Sequence, residues 1–178
     1  MEQLTASSLP FFLAFICSLF SLFSVVKSQS YYPSGVQLGV SVSTVTNGGW
    51  TICYNQPYSD YTYSSEINAC TTSSYILMGA RSSASSSTFK LLAAGASSSA
   101  MQSTSSISTA YYDNGAYWYY YAGKSVGFAA SSYVSLSSAD TGSTNAAYRL
   151  SWHLDQSAGG YRAGSVTGLN SDTTYYKV

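Results

Sequence analysis

The only histidine of the chain, His153, lies in YRLSWHL (Tyr148 to Leu154), two residues after Ser151 and two before Asp155. Serine, histidine and a carboxylate are the parts of an acyl-transfer relay, in which the base deprotonates the nucleophile and the acid orients the base. The spacing argues against such a relay. An activated serine needs a sharp turn that exposes its Oγ, whereas Ser151 falls in an alternating pattern that places it on one face of a regular strand with His153. Asp155 opens DQSAGG, a turn sequence, and Asp113 in DNG and Asp172 in NSD sit in similar contexts. Setting Glu2 aside leaves six of the seven acidic residues, and no spacing singles out a carboxylate pair for glycoside hydrolysis. No EF-hand or zinc-ligand pattern appears either, so neither a catalytic residue nor a metal or other cofactor is expected.

Aromatic rings offer different chemistry. YWYYY at Tyr117 to Tyr121 sends Trp118 and Tyr120 to one face and Tyr117, Tyr119 and Tyr121 to the other. One set can fill a core; the other can present flat rings and phenols to a sugar. The competing reading is that tyrosine is a good strand former whose ring covers the sheet while its hydroxyl stays wet. In YRLSWHL, Leu150, Trp152 and Leu154 share the core face, which leaves Arg149, Ser151 and His153 on a polar, partly exposed face. The expected ligand-binding residues are therefore Trp118, Tyr119, Tyr120, Arg149, His153 and Arg162.

Charge excludes some partners. Of 178 residues, seven are basic and seven acidic, a net charge of zero that provides no footprint for nucleic acid or anionic lipid. Near the start, LPFFLAFICSLFSLFSVV precedes Lys27, Ser28, Gln29 and Ser30, as in a secretory leader. Residues 1–28 are read as that leader and 29–178 as a single secreted β domain with no membrane span once it is removed. An uncleaved anchor is the competing reading, because the run approaches the ~20 residues a bilayer requires. Cleavage removes Cys17 and leaves Cys53 and Cys70, which are expected to form a disulfide in an oxidising compartment.

These side chains have to be positioned by strands. VQLGVSVSTVT, residues 36–46, alternates with a period close to two and reads as a half-buried strand; Asn47, Gly48 and Gly49 then turn it into a second run carrying Trp50, Ile52 and Tyr54 on one face. Tyr75 to Ala80 and Thr88 to Ala94 read as a hairpin joined through the serines at 82–87. Further strands are expected at Tyr117 to Tyr121, Ser125 to Ala129, Tyr148 to Leu154 and Thr173 to Val178. Ser64 to Cys70 reads as a short helix, with Ser64 as N-cap and Glu66 near its positive end. The class expected is all-β, an antiparallel sandwich or barrel-like single domain with that one short helix.

The ordered set GWTICY (49–54), INAC (67–70), NGAYWYY (114–120), GFA (127–129), YRLSWH (148–153) and GYRAG (160–164) resembles a type of all-β domain found in secreted and cell-surface eukaryotic proteins. The resemblance covers about Gly35 to Val178 and implies a shared scaffold, with no activity attached. Domains of that type read RLCWH and GYRCG where this chain has Ser151 and Ala163. If those two cysteines bridge each other, both are expected to be lost together, since an orphan thiol is a liability in a secreted protein.

The expectation is a secreted, non-enzymatic structural or adhesive domain, of the kind found in extracellular matrix, that binds a glycan or glycoprotein in the extracellular space. The alternatives are a β-pore-forming protein, because SSASSSTFKLLAAGASSSAMQSTSSISTA (82–110) alternates in part like an insertion hairpin, and a hydrolase.

Overall fold

The computed structural model describes residues 30–104, 109–134, 139–156 and 159–178; the expected leader lies outside them. Two antiparallel sheets pack face to face. The first has five strands in the order β1 (Gln37–Leu38), β4 (Leu91–Ala96), β3 (Tyr75–Arg81), β11 (Tyr176–Lys177) and β2 (Gln56–Pro57). The second has six, β10 (Val166–Thr167), β9 (Arg162–Ala163), β8 (Leu150–His153), β7 (Ser125–Ala129), β6 (Ala116–Tyr121) and β5 (Tyr111–Asp113). This is the all-β sandwich that the spacing of the short strands implies.

Period-two burial builds the space between the sheets. Ile76, Met78 and Ala80 of β3 and Leu91 and Ala93 of β4 meet a row across the second sheet, Trp118, Phe128, Leu150 and Ala163, which are successive cross-strand partners. Leu92 faces the other way, into a cluster with Val45 and Phe89. Alternation fails at 91–94 because this strand is covered on both faces, so that Leu91, Leu92, Ala93 and Ala94 are all buried.

The 36–46 segment departs from expectation. Only Gln37–Leu38 pairs with β4; Gly39 then takes a left-handed φ of 66°, and residues 42–47 form a helix, α1 (Val42–Asn47). Ser41 caps it by accepting the Thr44 N–H at 3.0 Å. Val42 and Val45, three apart, then lie on one helical face against β4. The 50–54 segment is not a strand either.

The short helix is present as α2 (Ser64–Ala69) and continues as a 3-10 turn through Cys70–Thr72. Its N-cap is Tyr63 and not Ser64: the Tyr63 N–H donates to Glu66 Oε2 at 2.8 Å. Ser64 is held from across the chain, its N–H donating to Asp155 Oδ1 at 3.0 Å and its hydroxyl to Asp155 Oδ2. Asp155 is thus a turn residue with a left-handed φ of 54° that also satisfies the helix start. A disulfide joins Cys53 to Cys70 with Cα atoms 5.7 Å apart, fixing α2 against the 50–54 segment.

Candidate functional site

The face of the second sheet turned away from the core carries a second row of cross-strand partners, Tyr119, Gly127, Ser151 and Arg162. Gly127 is needed there, since a Cβ at that position would meet the Leu150 carbonyl and crowd the Tyr119 hydroxyl at 2.5 Å. With no side chain at Gly127, the Tyr119 ring reaches β8 and its hydroxyl donates to Leu150 O at 2.9 Å. Burial pushes the Tyr119 phenol well above its ordinary pKa.

This face is polar and closed. Arg149 Nη1 pairs with Asp140 Oδ2 at 2.7 Å, both side chains fully buried. Arg149 Nε donates to Thr144 O at 2.6 Å, and Nη2 to Ser131 Oγ at 3.0 Å and Tyr133 O at 2.9 Å. Arg162 donates to the carbonyls of Gly164, Asp140 and Gly142. Ser151 Oγ accepts the Asp140 N–H at 3.1 Å. The two guanidiniums staple residues 139–144 onto β8 and β9 with charge-assisted bonds.

The expectation of a partly exposed recognition face is therefore corrected. Trp118 and Tyr119 are fully buried, Tyr120 and Arg162 are buried, and Arg149 is enclosed by its own bonds. The alternation holds, but a polar strand face can be covered once its charges are paired. Trp118 donates its indole N–H to Asp113 O at 3.2 Å and packs edge-on against Phe128. His153 is half-buried, edge-on to Tyr161 with centroids 6.1 Å apart. Ser151 is sealed beneath Asp140 while Asp155 holds Ser64, so neither is placed as part of a relay with His153.

Ser151 and Ala163 lie on opposite faces of the sheet: Ala163 is across from Leu150 on the core side, and Ser151 is across from Arg162 on the outer side. Two cysteines at these positions would point apart and could not bridge each other, so the expected linked loss is corrected too.

Rings do gather at the surface, at a site that strand alternation does not mark. Tyr32 stacks on Trp50 with centroids 6.5 Å apart and meets Tyr75 edge-on at 4.9 Å. Tyr32, Tyr75 and nearby Ile52 are exposed, and Trp50 is anchored by its indole N–H donating to Tyr31 O at 2.6 Å. Trp50, Ile52 and Tyr75 are at the mouth of a half-open cavity of about 200 Å³.

The cavity exists because β3 lacks a partner along part of one edge. On that edge β11 pairs with Ala80 and Arg81, and Val178 reaches Gly79. Beyond Gly79, residues 50–54, tied to the end of α2 by the Cys53–Cys70 bridge, line the space without joining the ladder. Ile76, Met78 and Trp152 border the space from the core side, and Leu77, Val45 and Phe89 from the α1 side. No acidic, basic or histidine side chain lines it. The signal in the sequence is weak: Gly48 and Gly49 before Trp50, and poor alternation through TICYNQPYS.

Among the described residues no group of three His, Cys, Asp or Glu side chains is placed to hold a metal ion, and no helix is long and apolar enough to cross a membrane. Comparison with protein-family models, curated proteins and solved structures gives no match. The resemblance to secreted all-β domains rests on the quoted motifs.

Proposed function

We propose that this chain is a secreted, non-catalytic recognition domain that holds a glycan or glycoprotein against the rings of Tyr32, Trp50 and Tyr75. The observation that carries this reading is the contact of the exposed Tyr32 ring with both Trp50 and Tyr75, two rings that line an opening without charged side chains, while the rings of Trp118, Tyr119 and Tyr120 are buried. Flat aromatic faces with phenol hydroxyls suit a neutral, hydroxyl-rich partner, which needs stacking and hydrogen bonds more than charge. The disulfide fits an oxidising, extracellular setting.

A glycan array probed with the purified protein tests the reading. Trp50→Ala and Tyr75→Ala are each expected to weaken a positive spot by about tenfold, the equivalent of one lost ring contact. Tyr112→Ala, at an exposed tyrosine outside the mouth, is expected to leave it unchanged. A silent array at high protein concentration, or equal loss in all three variants, overturns the proposal.

A further inference from the structure

One edge of β3 is paired along nearly its whole length and the other along only part of it. β4 covers the first edge from Tyr75 to Ala80. On the second, β11 meets Arg81 and Ala80, and Val178 and Gly79 exchange both of their main-chain bonds, at 2.9 and 2.8 Å. In an antiparallel ladder the N–H and C=O groups of successive residues point to opposite edges. Gly79 turns both of its groups away from β4, so Leu77 and Tyr75, two and four residues back, do the same. The bond from Ser97 N–H to Ser74 O fixes the same phase at the far end, with Ser74 turned towards the β4 side. Among the described residues no hydrogen bond answers the N–H or C=O of Leu77 or Tyr75 on the open edge.

The cavity runs beside this edge. Its lining includes Tyr75, Ile76, Leu77 and Met78, four successive residues whose side chains alternate between the two faces of the sheet. A space that touches all four, on a strand whose other edge is filled by β4, lies along the open edge. Val178, where the ladder stops, lines it too.

We infer that an extended segment of another protein adds to β3 here as a further strand, bonded to the free main-chain groups of Leu77 and Tyr75. Strand addition takes its affinity from main-chain bonds and its selectivity from alternate side chains. A guest residue opposite Leu77 would share that side chain's face, in the cluster of Val45 and Phe89 against which Val178 already packs. Its neighbour would point the other way, to the face of Ile76 and Met78. Both faces are apolar and no charged side chain lines the space, so the segment that fits is uncharged and carries successive apolar, β-branched residues, as in a strand buried on both sides. Two such residues span roughly 7 Å. The cavity, at about 200 Å³, exceeds the roughly 150 Å³ that accommodates benzene, and its open mouth lets the ends of the segment leave. The inference goes beyond glycan binding, since it uses the main chain of β3 and not the rings at the mouth.

The capped peptide acetyl-Thr-Val-Val-Val-Thr-amide tests it, beside the same peptide N-methylated on two adjacent valines. Because main-chain groups alternate, methylating two neighbours removes a donor that faces β3 in either register. In ¹H–¹⁵N spectra of the disulfide-intact protein, the unmodified peptide is expected to shift the Leu77 and Tyr75 amide resonances in a saturable way. It is also expected to slow hydrogen exchange at both amides by about tenfold or more, while exchange along the β5 edge stays unchanged. The methylated peptide is expected to bind about fivefold more weakly or worse, the loss of at least one net hydrogen bond. No saturable change at Leu77 and Tyr75, changes confined to other strands, or equal binding of the two peptides overturns the proposal. The glycan array reads the mouth rings separately, so a silent array leaves the peptide result standing and the reverse holds too.

Discussion

Arg149 shows how a residue's chemistry can be plain from sequence while its location is not. The alternation of YRLSWHL separates Leu150, Trp152 and Leu154 from Arg149, Ser151 and His153, and the structure preserves that division. What local sequence could not reveal is that Asp140, nine residues earlier, folds over the polar face and neutralises the guanidinium. A buried pair is costly to break from one side, because the remaining ion keeps its desolvation penalty. Asp140→Ala is accordingly expected to lower stability by about 3–5 kcal/mol, measured as a shift in the urea midpoint at constant slope. The double substitution Asp140→Leu with Arg149→Met should recover most of that loss. If the single substitution costs less than about 1 kcal/mol, the pair behaves like a solvent-screened surface one, and residues 139–144 are held by something else.

At the level of elements, α2 draws its stability from outside itself, since six residues are too few for a helix to persist alone. Its end is bonded to Cys53 and its start is held by Asp155, 91 residues from Ser64. Replacing Cys53 and Cys70 together with serine is expected to cost about 3 kcal/mol and to speed amide exchange across Ser64–Ala69. Asp155→Ala is expected to cost about 1 kcal/mol, with faster exchange concentrated at the first turn; unchanged exchange there would mean that Tyr63 and Glu66 cap the helix without it. The disulfide is legible because only two cysteines follow the apolar run at residues 9–26, and the strands at 75–80, 117–121 and 125–129 because regular pairing preserves their spacing. The 36–46 segment misleads because Val36, Leu38, Val40 and Val42 satisfy a period of two up to the point where Ser41 caps a helix. The interval from Val42 to Val45 is the helical signal, outweighed by the β-branched residues around it. The cavity mouth is the least legible feature, because it arises where a strand fails to pair and from rings contributed by residues 32, 50 and 75.

Across the whole molecule, Lys177 ties the first sheet to the segment at Asp60 and Thr62. Lys177, in β11 between β3 and β2, buries its ammonium, donating from Nζ to Asp60 O at 2.8 Å and to Thr62 Oγ1 at 2.7 Å, with the Tyr54 and Tyr58 rings each 5.9 Å away. Burial pushes its pKa down from 10.5 to about 8, although Asp60 and Glu66 pull the other way. Because the folded state holds this proton less tightly than the unfolded state, the group opposes folding fully below about pH 8 and progressively less as the pH rises towards 10.5. Tyr54 works in the opposite sense: burial raises its phenol to about 12, so its contribution favours folding below pH 10 and is lost as the pH climbs through 12. Thermal or urea unfolding followed from pH 7 to 11 should therefore show stability rising through about pH 8–10 before it declines. Lys177→Met should flatten the rise and retain the decline. A wild-type profile that falls monotonically above pH 7, or a variant with the same rise as wild type, would show that the ammonium is solvated and that the closure at Asp60 and Thr62 does not hold it.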